Sequence, residues 1–205
     1  MASTTPAPGP RASRGPGTRR SARPRPLYTI GHSTRTVAEL IEALRAWSVD
    51  SLVDIRHFRR SRRNPQFNED ALAPALADAG ISYLALQGLG GRRGRAKGSP
   101  SHNEGWHHPA FRNYADHAAT EAFAGAFEAL LERAARSTCA VMCAEAVWWR
   151  CHRRIVADYA IAHGVPVVHI FTASKAEPAV QTSFARVARA GERVTIEYPA
   201  PPSVA

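Results

Sequence analysis

A three-layer α/β sandwich of Rossmann-like type, with a mainly parallel sheet, is the fold class this chain predicts. Three observations carry that prediction. From Leu27 onward, short apolar runs alternate with stretches of helical periodicity, and strands that alternate with helices must cross over the sheet and return parallel. Glycines stand where helical patterns stop, at Gly80 and Gly164, as helix ends in the left-handed conformation favour. The apolar runs end on polar or charged residues. In an open α/β sheet those carboxyl ends border the ligand crevice.

The elements follow in order. "LYTIGHS" (27–33) reads as a first strand closed by a Gly-His-Ser turn. "TVAELIEALRAWSV" spaces Val37, Leu40, Ile41, Leu44 and Trp47 helically, with Thr36 as the N-cap. "SLVDIR" (51–56) is a second strand, "EDALAPALADAG" (69–80) a short helix, and "ISYLAL" (81–86) a third strand. A long Gly-, Arg- and His-rich loop runs from Gln87, and residues 114–136 return to helical periodicity. "TCAVMC" is a fourth strand, "RCHRRIVADYAIAHG" a helix, "VPVVHIF" a fifth strand, and "ERVTIEY" one more near the end. No GxGxxG follows the first strand, and "LGGRRGR" after the third has the wrong spacing, so a dinucleotide fingerprint is absent.

Composition bounds the function. The length of 205 residues fits one α/β domain over residues 27–199 preceded by a tail over 1–26. The tail holds six of the 27 basic residues and no acidic one, leaving 21 basic against 17 acidic in the rest. Rich in Pro, Gly, Ser and Ala, it has too little apolar surface to fold and reads as a disordered basic arm. No apolar run approaches the roughly 18 residues that cross a bilayer, so no membrane partner is expected. The three cysteines, Cys139, Cys143 and Cys151, are an odd, clustered set. They fit reduced thiols and a cytoplasmic location better than a secreted disulfide framework. Cofactor and oligomeric state are open at this level.

The motifs "TIGHS", "VDIR" followed by "SRRNPQF", "GISYLALQGLGG", "MCAEAVWWRCHRR" and "VVHI" occur in that order over residues 28 to about 171. Together they resemble the domain of unknown function 488 family. The resemblance implies a compact α/β domain whose shared residues gather at one site, and it implies no established reaction. The chain departs from the family at Arg59, where members usually have a proline.

The site expected from the strand ends centres on Asp54, Glu145, His32, His152 and Cys143. Two carboxylates in one cleft can divide acid and base roles, which suits cleavage of a glycosidic bond, or of a phosphodiester if a metal is present. His32 and His152 would polarise or orient. Asp54→Asn or Glu145→Gln is then expected to remove turnover and leave stability intact. The alternative reading for Asp54 is a structural ion pair with Arg56 or Arg153, and for Glu145 a helix cap. Cys143, where a strand hands over to a helix, also fits a thiol nucleophile of sulfurtransferase or phosphatase-like type. Against this, the interval to Arg150 is one residue longer than a phosphatase loop and carries two tryptophans in place of glycines. The spacing of Cys143, Cys151 and His152 fits no common zinc pattern, and no metal site is expected from it. Arg150 and Arg154 are expected to face solvent.

Substrate contacts are expected from Ser33, Arg56, Arg62, Arg63, Cys151 and Arg153, with Trp148 or Trp149 as stacking surfaces. "RHFRRSRRNPQF" holds five arginines in twelve residues and "GGRRGRAKG" three arginines and a lysine. Such loops beside aromatics and a carboxylate-containing cleft point to DNA or RNA as partner. The function classes left standing are a hydrolase acting on nucleic acid or a nucleotide-derived substrate, a thiol enzyme, and a non-catalytic nucleic-acid binding module.

Overall fold

A computed structural model describes residues 25–94, 100–191 and 193–201. The basic arm over 1–26 lies almost wholly outside these residues, as do positions 95–99 of the second arginine-rich loop. The strands β1 (Leu27–Gly31), β2 (Ser51–Asp54), β3 (Ser82–Ala85), β4 (Cys139–Cys143), β5 (Val167–Ile170) and β6 (Ala176–Pro178) form one sheet in the order β3-β2-β4-β1-β5-β6. The first five pair in parallel and β6 runs antiparallel on the edge. Helices α1 (Val37–Ala46), α2 (Glu69–Asp78), α3 (Pro109–Ala118), α4 (Glu121–Arg136) and α5 (Arg153–Ala162) cover both faces. This is a three-layer Rossmann-like sandwich.

Period-two alternation decides which face each strand residue serves. On β4, Ala140 and Met142 pack in a cluster with Leu40 and Leu44 of α1 and Leu72 and Leu76 of α2. Cys139, Val141 and Cys143 pack on the other side with Tyr114, Phe123, Phe127 and Tyr159 from α3, α4 and α5. Every residue of β2 and β4 is buried, which is why these strands read as continuous apolar runs. Thr36 caps α1 through a reciprocal capping box with Glu39. Gly80 and Gly164 take φ of 76° and 78° past the ends of α2 and α5, conformations a side chain resists.

Three local departures from the sequence reading have simple causes. The helical pattern over 114–136 is two helices, broken at Ala119 and Thr120, and α3 begins at Pro109 inside the stretch read as loop. Proline suits a first helical turn because its missing N–H would have no partner there. The C-terminal strand is not part of the main sheet. β7 (Arg186–Ala190) and β8 (Arg193–Glu197) make a separate antiparallel hairpin, held to α5 by Tyr198 Oη donating to Asp158 at 2.9 Å. The short, half-exposed β6 has no apolar pattern to announce it. Among the described residues no helix is long and apolar enough to cross a membrane.

Candidate functional site

The carboxyl ends of β1 and β4 are bound together beyond the strands. His32 N donates to the Cys143 carbonyl and Ser33 N to the Ala144 carbonyl, both at 2.9 Å. A Cβ at Gly31 would stand 1.8 Å from the Glu145 carbonyl oxygen, so the loop after β4 can cross β1 only over a glycine. Arg153 completes the junction. Its side chain is buried, and its Nη2 donates to the Glu145 carbonyl at 2.6 Å.

At the end of β2, Asp54 is fully buried and accepts from four donors. These are Arg56 N at 2.9 Å, Arg56 Nε at 3.0 Å, Arg56 Nη2 at 2.6 Å and Tyr83 Oη at 2.7 Å. Burial first, and the neighbouring carboxylate next, push the Tyr83 hydroxyl up, so it stays a donor. Arg56 also donates from Nη2 to the Phe67 carbonyl at 2.8 Å and from Nη1 to His32 Nε2 at 3.3 Å. A guanidinium cannot accept, so His32 Nε2 is the acceptor, and its Nδ1 donates to the Ser33 carbonyl at 3.0 Å. Burial, then the charge of Arg56, lowers the His32 pKa to about 4. His32 stacks on Phe67 at 4.1 Å. It is therefore a neutral prop for Arg56, with both ring nitrogens engaged.

Above this buried chain lies a cleft of about 370 Å³ lined by Arg56, His57, Phe58, Arg60 and Ser61 from the loop after β2, Gly91 and Arg92 from the loop after β3, and Cys143, Ala144, Glu145 and His152 at the exit of β4. The Arg92 guanidinium lies 5.7 Å over the exposed Phe58 ring. His57 Nδ1 is buried with no hydrogen-bond partner among the described residues. Arg59 fixes the loop's path. Its Nε donates to Glu69 at 2.7 Å, while Glu69 N donates to its carbonyl at 3.1 Å.

On the wall of the cleft, His152 Nδ1 stands 3.8 Å from Cys143 Sγ and 3.6 Å from Cys151 Sγ. Its Nε2 lies 3.2 Å from the Ile55 carbonyl. The hydrogen bond to Cys151, and then burial, push the Cys143 thiol well above its ordinary range. Burial alone would raise Cys151 as well, but the bond from Cys143 and the charge of Arg153 hold it well below that range. Three side chains unevenly spaced in sequence thus meet, their sulfur and nitrogen atoms within 4.8 Å of one another. A strand end and a helix start approach here through the β4–α5 turn, which no fixed interval in the sequence describes.

The other expected residues divide. Glu145 is exposed on the cleft rim, while Asp54 and His32 lie beneath its floor. Ser33, Arg62, Arg63, Trp148 and Trp149 do not line the cleft. Ser33 neither caps α1 nor faces the cleft; its φ of 49° belongs to the tight turn after β1. Arg62 and Arg63 are exposed beyond the rim. Trp148 stacks on His169 at 4.5 Å and donates to Glu177 at 2.6 Å, and Trp149, partly exposed, lies near Phe171. The pair therefore sits over the end of β5. Cys151 lies behind Cys143, with 2% of its surface exposed. Arg150 is exposed as expected, but Arg154 is not free in solvent. It bonds Thr182 at 3.0 Å and lies 4.8 Å over the Trp106 ring. Residues assigned no site role in the sequence, Phe58, Arg60 and Ser61, do line the cleft. Their signal was present in the arginine-rich run, but periodicity cannot say which arginines of a loop point inward.

Fold and cleft together define an α/β protein with a basic crevice at the carboxyl edge of a doubly wound sheet. The chain belongs to the family described as Domain of unknown function DUF488, whose model matches residues 36–160. No curated protein and no solved structure matches it.

Proposed function

We propose that the protein is an enzyme acting on a phosphate-bearing substrate of nucleic-acid or nucleotide type, cleaving a glycosidic or phosphodiester bond within the β2–β3–β4 cleft. The observation that carries this reading is the lining itself. Arg56, Arg60 and Arg92 face a carboxylate, Glu145, across one crevice. Arginines supply planar donors matched to phosphate oxygens, and Phe58 beneath Arg92 offers a flat apolar surface for a base. Glu145 is the group placed for proton transfer. Asp54 is a positioning residue, since its oxygens are occupied in holding Arg56.

The thiol alternative is less well supported: the hydrogen bond to Cys151, and then burial, push up the thiol of Cys143, which the cleft admits, while Cys151, whose thiol is held low, lies behind it. The binding-module alternative differs in having no turnover. Incubating full-length protein with modified and unmodified DNA, RNA and nucleotides, with and without divalent metal, and reading products by mass distinguishes base release from strand scission. Turnover that Glu145→Gln removes while binding persists supports the proposal. Salt-sensitive binding with no product overturns the enzymatic reading.

A further inference from the structure

We propose that Cys143, Cys151 and His152 form a zinc-binding site with three protein ligands and a fourth position open to the cleft. This inference does not depend on the substrate reading above. Geometry is its first support. Zinc bonds of about 2.3 Å to sulfur and about 2.0 Å to nitrogen at tetrahedral angles place sulfur and nitrogen about 3.6 Å apart. The two observed sulfur-to-nitrogen separations are 3.6 and 3.8 Å. Little movement is needed to receive an ion.

The surroundings prepare each ligand. A carbonyl oxygen only accepts, so the Ile55 carbonyl at 3.2 Å fixes the proton on His152 Nε2. That leaves the Nδ1 lone pair facing both sulfurs, and such outer-shell bonds commonly orient metal-bound histidines. Cys151 Sγ accepts from Arg153 N at 3.5 Å and from Arg153 Nε at 3.4 Å, donors suited to a thiolate. A Cβ at Gly91 would stand 2.7 Å from His152 Nδ1. The glycine therefore keeps clear the volume beside the nitrogen that coordinates.

Two cysteines and a histidine suit a borderline-soft cation such as Zn²⁺ over Mg²⁺ or Ca²⁺, which prefer oxygen. On binding, each thiol that still carries its proton exchanges an S–H bond for a Zn–S bond and releases that proton to water, whereas a thiolate binds directly. Cys143 and His152 border the cleft beside Glu145, so the fourth ligand is a water or a substrate oxygen. Three protein ligands with an open position are the arrangement of catalytic zinc centres.

The test uses full-length protein, stripped with a chelator under reducing conditions and retitrated with Zn²⁺ or Co²⁺. Elemental analysis is expected to give about one zinc per chain. Cobalt is expected to produce a thiolate-to-metal charge-transfer band with tetrahedral d–d intensity. Cys143→Ser and His152→Ala are expected to weaken zinc binding at least about tenfold, while Cys139→Ser, the buried thiol outside the triad, leaves it unchanged. The wild-type cobalt spectrum keeps the test decisive should a variant fail to fold. Folded wild-type protein that takes up no zinc in excess overturns the proposal. So does retention of full affinity when Cys143 and Cys151 are both serine.

Discussion

Arg56 and Asp54, two residues apart in the chain, form an ion pair at 2.6 Å with side chains 5% and 0% exposed. The pair ties the end of β2 to Tyr83 on β3, to Phe67 in the following loop and to His32 beyond β1. A carboxylate so enclosed holds a floor together.

Removing one member of a buried pair leaves the other charge uncompensated, at roughly 3–5 kcal/mol. Asp54→Ala is therefore expected to lower stability by that order in a denaturant titration. Asp54→Asn is expected to be destabilising too, contrary to the purely catalytic role its place at a strand end suggests. A variant with unchanged midpoint and slope would show that the pair does not anchor the loop.

Two glycine substitutions should move stability in opposite directions. Gly31→Ala puts a methyl 1.8 Å from the Glu145 carbonyl and is expected to cost at least about 2 kcal/mol. Gly125 lies exposed within α4 with nothing within 4 Å of a built Cβ, so Gly125→Ala should stabilise by about 0.5–1 kcal/mol. Equal thermal shifts would contradict the crossing described at Gly31.

Acid should weaken the fold through His169. Burial, then the charge of Arg153, lowers its pKa to about 4, Cys151 acting in the opposite sense. The unfolded imidazole binds its proton near pH 6.5, so the unfolded state gains protons first on acidification. The contribution is fully present above about pH 6.5 and is lost as pH falls towards about 4, to a limit of roughly 3 kcal/mol. Tm should fall between pH 7 and 5, and His169→Gln should flatten that slope. An identical slope in the variant assigns the effect elsewhere.

Trp148→Ala is expected to cost roughly 1–3 kcal/mol of stability, because the indole lies on His169 and bonds Glu177. Oligonucleotide affinity at pH 7 should stay close to wild type. A large affinity loss at unchanged Tm would restore the stacking role that its aromatic character suggests.

Cleft and rim arginines should differ in salt dependence. Each phosphate contact adds about 0.7 to the slope of log affinity against log salt for single strands. Arg60→Ala and Arg92→Ala should each reduce the slope by about that amount, and Arg62→Ala with Arg63→Ala should leave it unchanged. Reversal of that ranking would move the interface out of the cleft.

Local chemistry determined much of this protein in the sequence itself. Alternating periods, the Thr36 cap, the closing glycines and polar strand ends specify the parallel five-strand order of elements, since each is decided within a few residues by backbone sterics and apolar spacing. The same reading could place His32, Asp54, Cys143 and Glu145 at one sheet edge. Only the tertiary structure decided which of them line the cleft and which lie beneath it. Asp54 is enclosed because Tyr83 arrives from β3 and Arg56 folds back, and the tryptophans are carried to β5 by the turn before α5. The meeting of Cys143, Cys151 and His152 is of the same kind. Side-chain direction and long-range approach depend on how a loop packs against elements distant in sequence, and no period along the chain encodes that.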